Sequence, residues 1–142
     1  MKIIHTMEVS YWAFFAKKNR ETAPLIIYFL EDGMLIEIFY GNGPFRLEGN
    51  NVIENKDSWT NFANVLYYDL SPANIIGDAY ENNMPKNAYK QAQLVLEMIY
   101  DAGFFDTTWR HKDLYIGADG EYAKVVALAA KMTSEDHTMT LK

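Results

Sequence analysis

One stretch of the sequence decides the fold: residues 113–132 read DLYIGADGEYAKVVALAAKM. Its start, Asp113 to Gly117, is short and apolar, as in a strand. Ala118-Asp119-Gly120 is typical of a tight turn. Residues 121–132 carry only three charged side chains, which predicts a mostly buried helix. The stretch therefore predicts a strand, a sharp turn and a helix in immediate succession.

Earlier in the chain, the pattern predicts further strands. Residues 8–18 carry large aromatic side chains that favour a strand. Leu25–Leu30 and Asn64–Leu70 are continuous apolar runs, which are typical of strands buried on both faces in the middle of a sheet. Residues 45–55 are polar and alternating, which indicates a surface hairpin or loop.

Two more helices are predicted between these strands. The apolar segment Met34–Tyr40 indicates a short helix that Gly41–Pro44 breaks. Pro85 is a favourable first helical residue, and an amphipathic helix over residues 86–101 follows it, with Gly103 just past its end. This alternation predicts a layered α/β fold with a mixed, mainly parallel sheet. We expect one domain over residues 1–132 and a polar tail over residues 133–142 in a chain of 142 residues.

Composition excludes several classes of function. Lys and Arg number 13 against 19 Asp and Glu, and this net charge of −6 argues against a nucleic-acid partner. The chain has no cysteine, so disulfides, thiol catalysis and cysteine–zinc sites are excluded. It shows no signal peptide, no Asn-x-Ser/Thr sequon and no apolar run of the roughly 18 residues that a membrane span needs. We expect a protein that does not span a membrane, in an intracellular, non-secretory compartment, either the cytoplasm or an organelle such as the mitochondrion.

The polar side chains give no clear metal or cofactor site. His5, His111 and His137 are too dispersed to predict metal ligands, and no dinucleotide or phosphate-loop pattern occurs. The pair Glu31-Asp32 could bind a cation, but capping of the helix that follows is favoured. No metal and no cofactor are therefore predicted.

Two other polar groups have open interpretations. The segment Lys17–Glu21 could be an anion patch or a solvated hairpin loop, and its three positive charges favour the loop. Ser58 and Ser71 lie beside no sequence-local base and are interpreted as turn residues. His111 could form an acid–base site with Asp113 or Asp119, but these carboxylates would lie about 20 Å apart at the two ends of one strand.

Several segments, in order, resemble the serine carboxypeptidase family from about Tyr11 to Met132. The similarity is carried by Tyr11–Phe15 with Pro24–Phe29, which resemble the family's paired strands, and by Gly43-Pro44-Phe45, Asn55–Thr60, Ala63–Tyr67, Ser71-Pro72-Ala73 and Leu114–Ala123. The last of these resembles the family's Leu-Tyr-Ile-Ala-Gly-Glu-Ser-Tyr-Ala-Gly. The resemblance implies the amino-terminal half of an α/β-hydrolase fold, in which the strand, turn and helix hold the catalytic nucleophile.

The departures from that family fall on its catalytic residues. The nucleophilic Ser corresponds to Gly120, or to Glu121 if the alignment slips by one position. Asp119 stands where the family has a Glu that recognises the substrate carboxylate, a role not carried over without the rest of the site. The glycine-rich oxyanion loop is reduced to a segment containing Asp32 and Gly33.

Other family features are also replaced or are not reached. Asn74, Ile75 and Ile76 stand in place of glycines that help to form the family's substrate pocket, which suggests a partly filled cleft. The family's catalytic Asp and His come from its carboxyl-terminal half, and the chain ends at Lys142 before either. Loss of any one triad member already costs several orders of magnitude in rate. The resemblance therefore implies the fold without the enzymatic activity.

With no strand after the elbow helix, Leu114, Tyr115 and Ile116 would form an apolar sheet edge. We expect a non-catalytic structural or interaction subunit whose partners are other protein subunits or further copies of the chain. Two alternatives stay open: a small-ligand or peptide binder using the remnant cleft, and a weak serine-independent hydrolase.

Overall fold

The protein is described by a computed structural model over residues 2–4, 7–30, 38–69, 87–105, 113–120 and 122–135. Its described strands are, in chain order, β1 (Lys2–Ile4), β2 (Met7–Phe14), β3 (Leu25–Leu30), β4 (Phe45–Glu48), β5 (Asn51–Glu54), β6 (Asn64–Asp69) and β7 (Leu114–Ala118). Five of them form one sheet in the order β1-β2-β6-β3-β7, and β4 pairs with β5 in a separate hairpin. The hairpin confirms the prediction for residues 45–55.

The main sheet is mixed. The β1–β2 and β2–β6 pairs are antiparallel, and β3 is parallel to both β6 and β7. The prediction of a layered α/β fold with a mixed sheet is therefore confirmed. All six residues of β6 are buried, as expected of a strand covered on both faces.

The connection after β2 differs from the predicted hairpin. Because β6 lies between β2 and β3, these two strands do not pair, and residues 15–24 form a crossing loop. The segments Tyr11–Phe15 and Pro24–Phe29, which resemble the family's paired strands, therefore do not pair with each other in the sheet. The buried strand β6 offers one hydrogen-bonding edge to β2 and the other to β3. These two strands therefore pair with β6 and do not form a hairpin with each other.

Two long helices lie in the second half of the chain: α1 (Ala88–Phe105) and α2 (Tyr122–Glu135). Helix α1 continues past Gly103, so the predicted end is wrong. A glycine costs only about 1 kcal/mol inside a helix, which burial of an apolar stripe can offset. Helix α2 extends to Glu135, three residues into the predicted tail. Residues 38–40 are also helical, in the part of the predicted Met34–Tyr40 helix that is described.

Helix α2 is less buried than its composition predicts. Val125, Val126 and Ala129 are buried, whereas Ala123 and Ala127 are exposed. The prediction of a mostly buried helix is therefore wrong. Alanine favours helices strongly and exposes little apolar area, so an alanine-rich outer face is stable in water.

The two faces of the sheet have different coverings. Leu25, Ile27 and Phe29 of β3 belong to a core cluster with buried residues of α1 and α2. The alternate residues of β3 point to the opposite face, where Leu30 packs with Tyr67 and with residues of the helical segment 38–40. The short 3-10 helix Trp59–Asn61 contributes Trp59 to this second face.

Buried amide and hydroxyl side chains hold the loops at the amino ends of β3 and β6. The Asn64 Oδ1 accepts from the Ala16 N–H at 3.0 Å, and its Nδ2 donates to the carbonyl oxygens of Arg20 and Ala23 at 3.0 and 3.3 Å. Asn55 is wholly buried, and its Nδ2 donates to the Gly43 carbonyl at 2.8 Å.

Ser58 completes this group of buried polar residues. It is the N-cap of the 3-10 helix, because its Oγ accepts from the Thr60 N–H at 3.1 Å. The same hydroxyl lies 3.2 Å from the Asn42 carbonyl oxygen and 2.8 Å from the Thr60 Oγ1. The interpretation of Ser58 as a turn residue is confirmed. We call Asn55, Ser58, Thr60 and Asn64 the polar brace.

Candidate functional site

The predicted strand–turn–helix unit is present. Strand β7 passes through Asp119 and Gly120 into α2, which begins at Tyr122. The Asp119 N–H donates to the Phe29 carbonyl at 3.2 Å, which fixes the turn against β3. The Ala123 N–H donates to the Gly120 carbonyl at 3.3 Å and so forms the first turn of the helix. This is the sharp strand-to-helix turn on which α/β hydrolases place their nucleophile.

The apex of this elbow is Gly120. Its φ is 60°, in the left-handed region where a residue with a Cβ is strained. A nucleophile elbow is likewise strained at the nucleophile, and Gly120 has such a backbone; which of Gly120 and Glu121 corresponds to the family's Ser stays a prediction, because Glu121 lies outside the described residues. Asp119 is half-buried at the end of β7. The apex itself therefore offers no hydroxyl, thiol or carboxylate to a substrate.

Several predicted site residues lie outside the described residues. These are Asp32 and Gly33 of the shortened oxyanion loop, Glu121 of the elbow, the pocket residues 74–76, and the three histidines. The degenerate oxyanion loop and an acid–base role for His111 therefore stay predictions. Asp113 and Asp119 are described, and they lie at opposite ends of β7, as the sequence predicts.

A metal-binding cluster and a membrane-spanning helix are both absent from the described part of the chain. Within it, no group of three or more His, Asp and Glu side chains is placed to hold a metal ion. In the same ranges, no helix combines the length and the hydropathy that crossing a membrane requires.

An apolar recess lies beside β7 on the face of the sheet opposite α1 and α2. Its volume is ≈ 420 Å³. Its walls are formed by Pro24, Ile26 and Tyr28, by Trp59 and Phe62, and by residues 115–117 of β7. Gly117 lets the Tyr28 ring pack directly against the backbone of β7 in the wall of the recess, because a Cβ at this position would lie 2.7 Å from the Tyr28 Cδ2.

The sequence interpretation missed this recess. In the sequence, Gly117 is the last residue of the predicted strand, and Trp59 lies in the family-like segment Asn55–Thr60. The sequence contains one signal for this recess. Side chains alternate between the two faces of a strand, so Tyr115 and Gly117 of β7 must share the face opposite Leu114 and Ile116. The contribution of Trp59 and Phe62 follows from the tertiary fold, since these residues are more than 50 positions from β7 in sequence.

The predicted apolar edge is the outer strand of the described sheet, where β7 pairs only with β3. Its three predicted residues differ in exposure. Tyr115 is 43% exposed, Ile116 is half-buried, and Leu114 is only 3% exposed. Leu114 therefore packs its side chain into the core and can contribute only backbone groups to a contact at the edge.

The loop at residues 17–21 is an exposed surface feature. Lys17 Nζ lies 2.6 Å from Glu54 Oε1, and the guanidinium carbon of Arg20 lies 3.4 Å from the centroid of the Phe15 ring. The hydrogen bond and charge of Lys17 lower the pKa of Glu54 below its usual value. These contacts favour the interpretation as a solvated loop over that as an anion site.

Comparisons with known proteins agree with this geometry. The sequence matches the serine carboxypeptidase family profile over residues 3–134. It is 34% identical over 110 residues to the pheromone-processing carboxypeptidase KEX1 of Sordaria macrospora, covering 70% of this chain and 15% of that protein. It is 41% identical over 64 residues to the KEX1 carboxypeptidase of Phytophthora infestans, covering 42% of this chain and 11% of that protein.

A solved structure shares the fold. The crystal structure of Kex1(delta)p, a prohormone-processing carboxypeptidase from Saccharomyces cerevisiae, superposes with a TM-score of 0.73 at 13% sequence identity. The match covers 96% of this chain and 33% of that one, so the chain spans about a third of that structure. The truncated α/β-hydrolase-like fold is confirmed. The chain belongs to the serine carboxypeptidase family.

Proposed function

We propose that this chain is a non-catalytic member of its family that acts as a structural or interaction subunit of a protein assembly. The observation that carries the proposal is Gly120 at the apex of the elbow, with a φ of 60°. The apex keeps the backbone shape of a nucleophile elbow and lacks the atom that attacks the substrate. Without a nucleophile, no acyl-enzyme intermediate can form at this position.

The surroundings of the elbow support the same conclusion. Among the residues that the structure describes, the ionisable side chain next to the apex is Asp119, whose backbone N–H is bound to the Phe29 carbonyl. A rebuilt acid–base site would need a second group close to it. Asp113 cannot serve, because the five residues of β7 separate the two carboxylates. The alternative of a weak serine-independent hydrolase thus gains no support from these two carboxylates.

The exposed parts of the molecule support an interaction role. Strand β7 forms the outer strand of the described sheet, and the recess beside it exposes Tyr115 and Phe62 by 43% and 59%. Edge strands and contiguous apolar surface are the features through which proteins pair with other chains. The curated relatives carry names of pheromone-processing carboxypeptidases. We propose that this chain retains their fold and not their hydrolytic activity.

Labelling with a fluorophosphonate and hydrolysis of an amino-blocked dipeptide test the catalytic half of the proposal. An active serine carboxypeptidase is the positive control. We expect the chain to show neither labelling nor hydrolysis above the level of a heat-denatured sample. Asp119→Asn tests a rebuilt site, and Asp57→Asn on the exposed turn after β5 is its matched control. Hydrolysis that is lost in Asp119→Asn and kept in Asp57→Asn would contradict the proposal.

Native mass spectrometry after cross-linking in the source cells tests whether the chain is a subunit of a protein assembly. We expect the chain in a complex of defined stoichiometry. Recovery of the chain only as a monomer, both in cells and in sedimentation at micromolar concentration, would overturn the interaction role.

A further inference from the structure

The turn at residues 41–44 contains a reactive dipeptide that the proposed function does not use. Of the eleven asparagines in the sequence, only Asn42 is followed by glycine. Because glycine has no side chain, nothing on Gly43 shields its backbone nitrogen from the asparagine before it. That nitrogen can attack the side-chain amide with little steric hindrance. Asn42 is therefore the asparagine whose local sequence most favours spontaneous deamidation.

The reaction needs no enzyme and only water as a co-reactant. The Gly43 nitrogen attacks the Asn42 Cγ, and a new N–Cγ bond forms. The displaced NH₂ group takes up the proton of the Gly43 N–H and leaves as ammonia. Water then opens the resulting succinimide ring at either of its carbonyl carbons, which gives aspartate or isoaspartate. No group is oxidised or reduced in either step.

The fold holds Asn42 away from this reaction. Its backbone carbonyl accepts from the Trp59 N–H at 3.0 Å and from the Ser58 hydroxyl at 3.2 Å. Its side-chain Oδ1 accepts from the Tyr67 hydroxyl. Ring closure draws the Gly43 nitrogen onto the Cγ, and this movement displaces both of the anchored oxygens. The turn must therefore open before Asn42 can react.

Gly43 is also held in place. A Cβ at this position would overlap the Cα and the carbonyl oxygen of Ile38, so the turn packs directly on the backbone of the helical segment 38–40. The Gly43 carbonyl accepts from the Nδ2 of the wholly buried Asn55 at 2.8 Å. Isoaspartate adds one carbon atom to the main chain, and such a close-packed turn has no room for it. A turn that has been modified in this way cannot return to its original packing.

We propose that Asn42 is a modification site controlled by the fold, which stays an amide while the turn is closed and is deamidated when the turn opens. The conversion is one-way, because neither product regenerates the amide. The isoaspartate product loses the carbonyl contacts with Ser58 and Trp59, and Trp59 forms part of the recess wall. The modified fraction therefore increases with the time that a chain has spent with this turn open. The inference does not depend on the proposed interaction role.

Deamidation of the full chain at mildly alkaline pH tests the inference. Peptide mapping by mass spectrometry measures the fraction of Asn42 that has gained one mass unit, in the folded chain and in the chain unfolded by guanidinium chloride. We expect conversion in the folded chain to be at least about tenfold slower. Equal rates in the two states would overturn the inference. An Asn42 that stays unmodified in the unfolded chain would also overturn it.

Two tyrosine variants separate opening of the turn from unfolding of the whole chain. Tyr67→Phe removes the hydroxyl that holds the Asn42 Oδ1 and should speed conversion in the folded chain about fivefold. Tyr68→Phe is the matched control, because it removes a buried hydroxyl from the next residue of β6, where that hydroxyl donates to the Met98 carbonyl at 3.2 Å. It should leave the rate unchanged. No acceleration in Tyr67→Phe, or equal acceleration in both variants, would overturn the inference.

A second pair of variants decides the question if Tyr67→Phe fails to fold. Ser58→Ala removes the hydroxyl that donates to the Asn42 carbonyl and should also speed conversion. Thr22→Val removes a hydroxyl that donates to the Asn19 carbonyl in an exposed loop, and it should have no effect. Equal rates in these two variants would overturn the inference. The fluorophosphonate and hydrolysis assays test the proposed function separately, since Asn42 takes no part in either readout.

Discussion

The polar brace and the elbow both lie in segments whose sequence resembles the family. The brace consists of hydrogen-bonding side chains, whereas the apex of the elbow has no side chain. In the brace, the amide of Asn64 bonds to three backbone groups, and the Asn55 amide bonds to the carbonyl oxygens of Gly41 and Gly43. At the elbow, Gly120 keeps a left-handed backbone and presents no side chain. Under the proposed function, the chain therefore carries hydrogen-bonding side chains where its loops must be held, and no side chain at the position proposed to correspond to the family's nucleophile.

The largest predicted effect is on the brace. Asn64→Leu keeps the approximate volume but leaves the Ala16 N–H and the carbonyls of Arg20 and Ala23 without their amide partner. We expect the free energy of unfolding to fall by about 3 kcal/mol, measured by urea denaturation.

Asn61→Leu is the control for that experiment. Asn61 is exposed, and its amide bonds to one backbone carbonyl, that of Lys56. It should cost about 1 kcal/mol or less. If Asn64→Leu and Asn61→Leu lowered the free energy of unfolding equally, the prediction would be contradicted, because the buried amide of Asn64 would then stabilise the fold no more than the exposed amide of Asn61.

A smaller effect is predicted at the elbow. Gly120→Ala places a Cβ on a residue with φ 60°, and Gly49→Ala does the same at φ 58° in the exposed turn between β4 and β5. We expect each substitution to lower the free energy of unfolding by about 1 kcal/mol, because both introduce the same backbone strain. Thermal and urea unfolding of the two variants provide the measurement. No loss in Gly120→Ala would show that the apex is not left-handed in solution.

The smallest predicted effect concerns the exposed ion pair between Lys17 and Glu54, the residue immediately before Asn55 of the polar brace. Lys17 lowers the pKa of Glu54 through a hydrogen bond and its charge. The ion pair therefore contributes to stability above the unfolded-state pKa of Glu54, and that contribution is lost as the pH falls through the lower, folded-state pKa. Because both partners are solvated, the contribution is small.

An NMR titration checks this last prediction. Lys17→Met should raise the pKa of Glu54 towards its usual value. Lys56→Met, which removes only a weaker charge effect, should raise it less. A larger shift in Lys56→Met would contradict the assignment of Lys17 as the main partner.

Much of the fold was predictable from local patterns. The continuous apolar runs at Leu25–Leu30 and Asn64–Leu70 indicated central strands, and the observed strands β3 and β6 each lie between two neighbouring strands of the sheet. The elbow was predictable because Gly117, Ala118 and Gly120 are the small residues that a tight strand-to-helix turn requires. The burial of α2 was overestimated, because apolar composition does not distinguish an alanine that faces water from one that faces the core.

The sequence by itself determined the element types, the absence of a nucleophile at Gly120, and the acidic residues that flank β7. These features depend on side-chain periodicity and residue identity, which are local. Only the tertiary structure decided that β6 separates β2 from β3, and that Trp59 and Phe62 meet Tyr28 and β7 around a recess. Strand order and pockets arise from contacts between residues far apart in sequence, whose choice depends on the packing of the whole sheet.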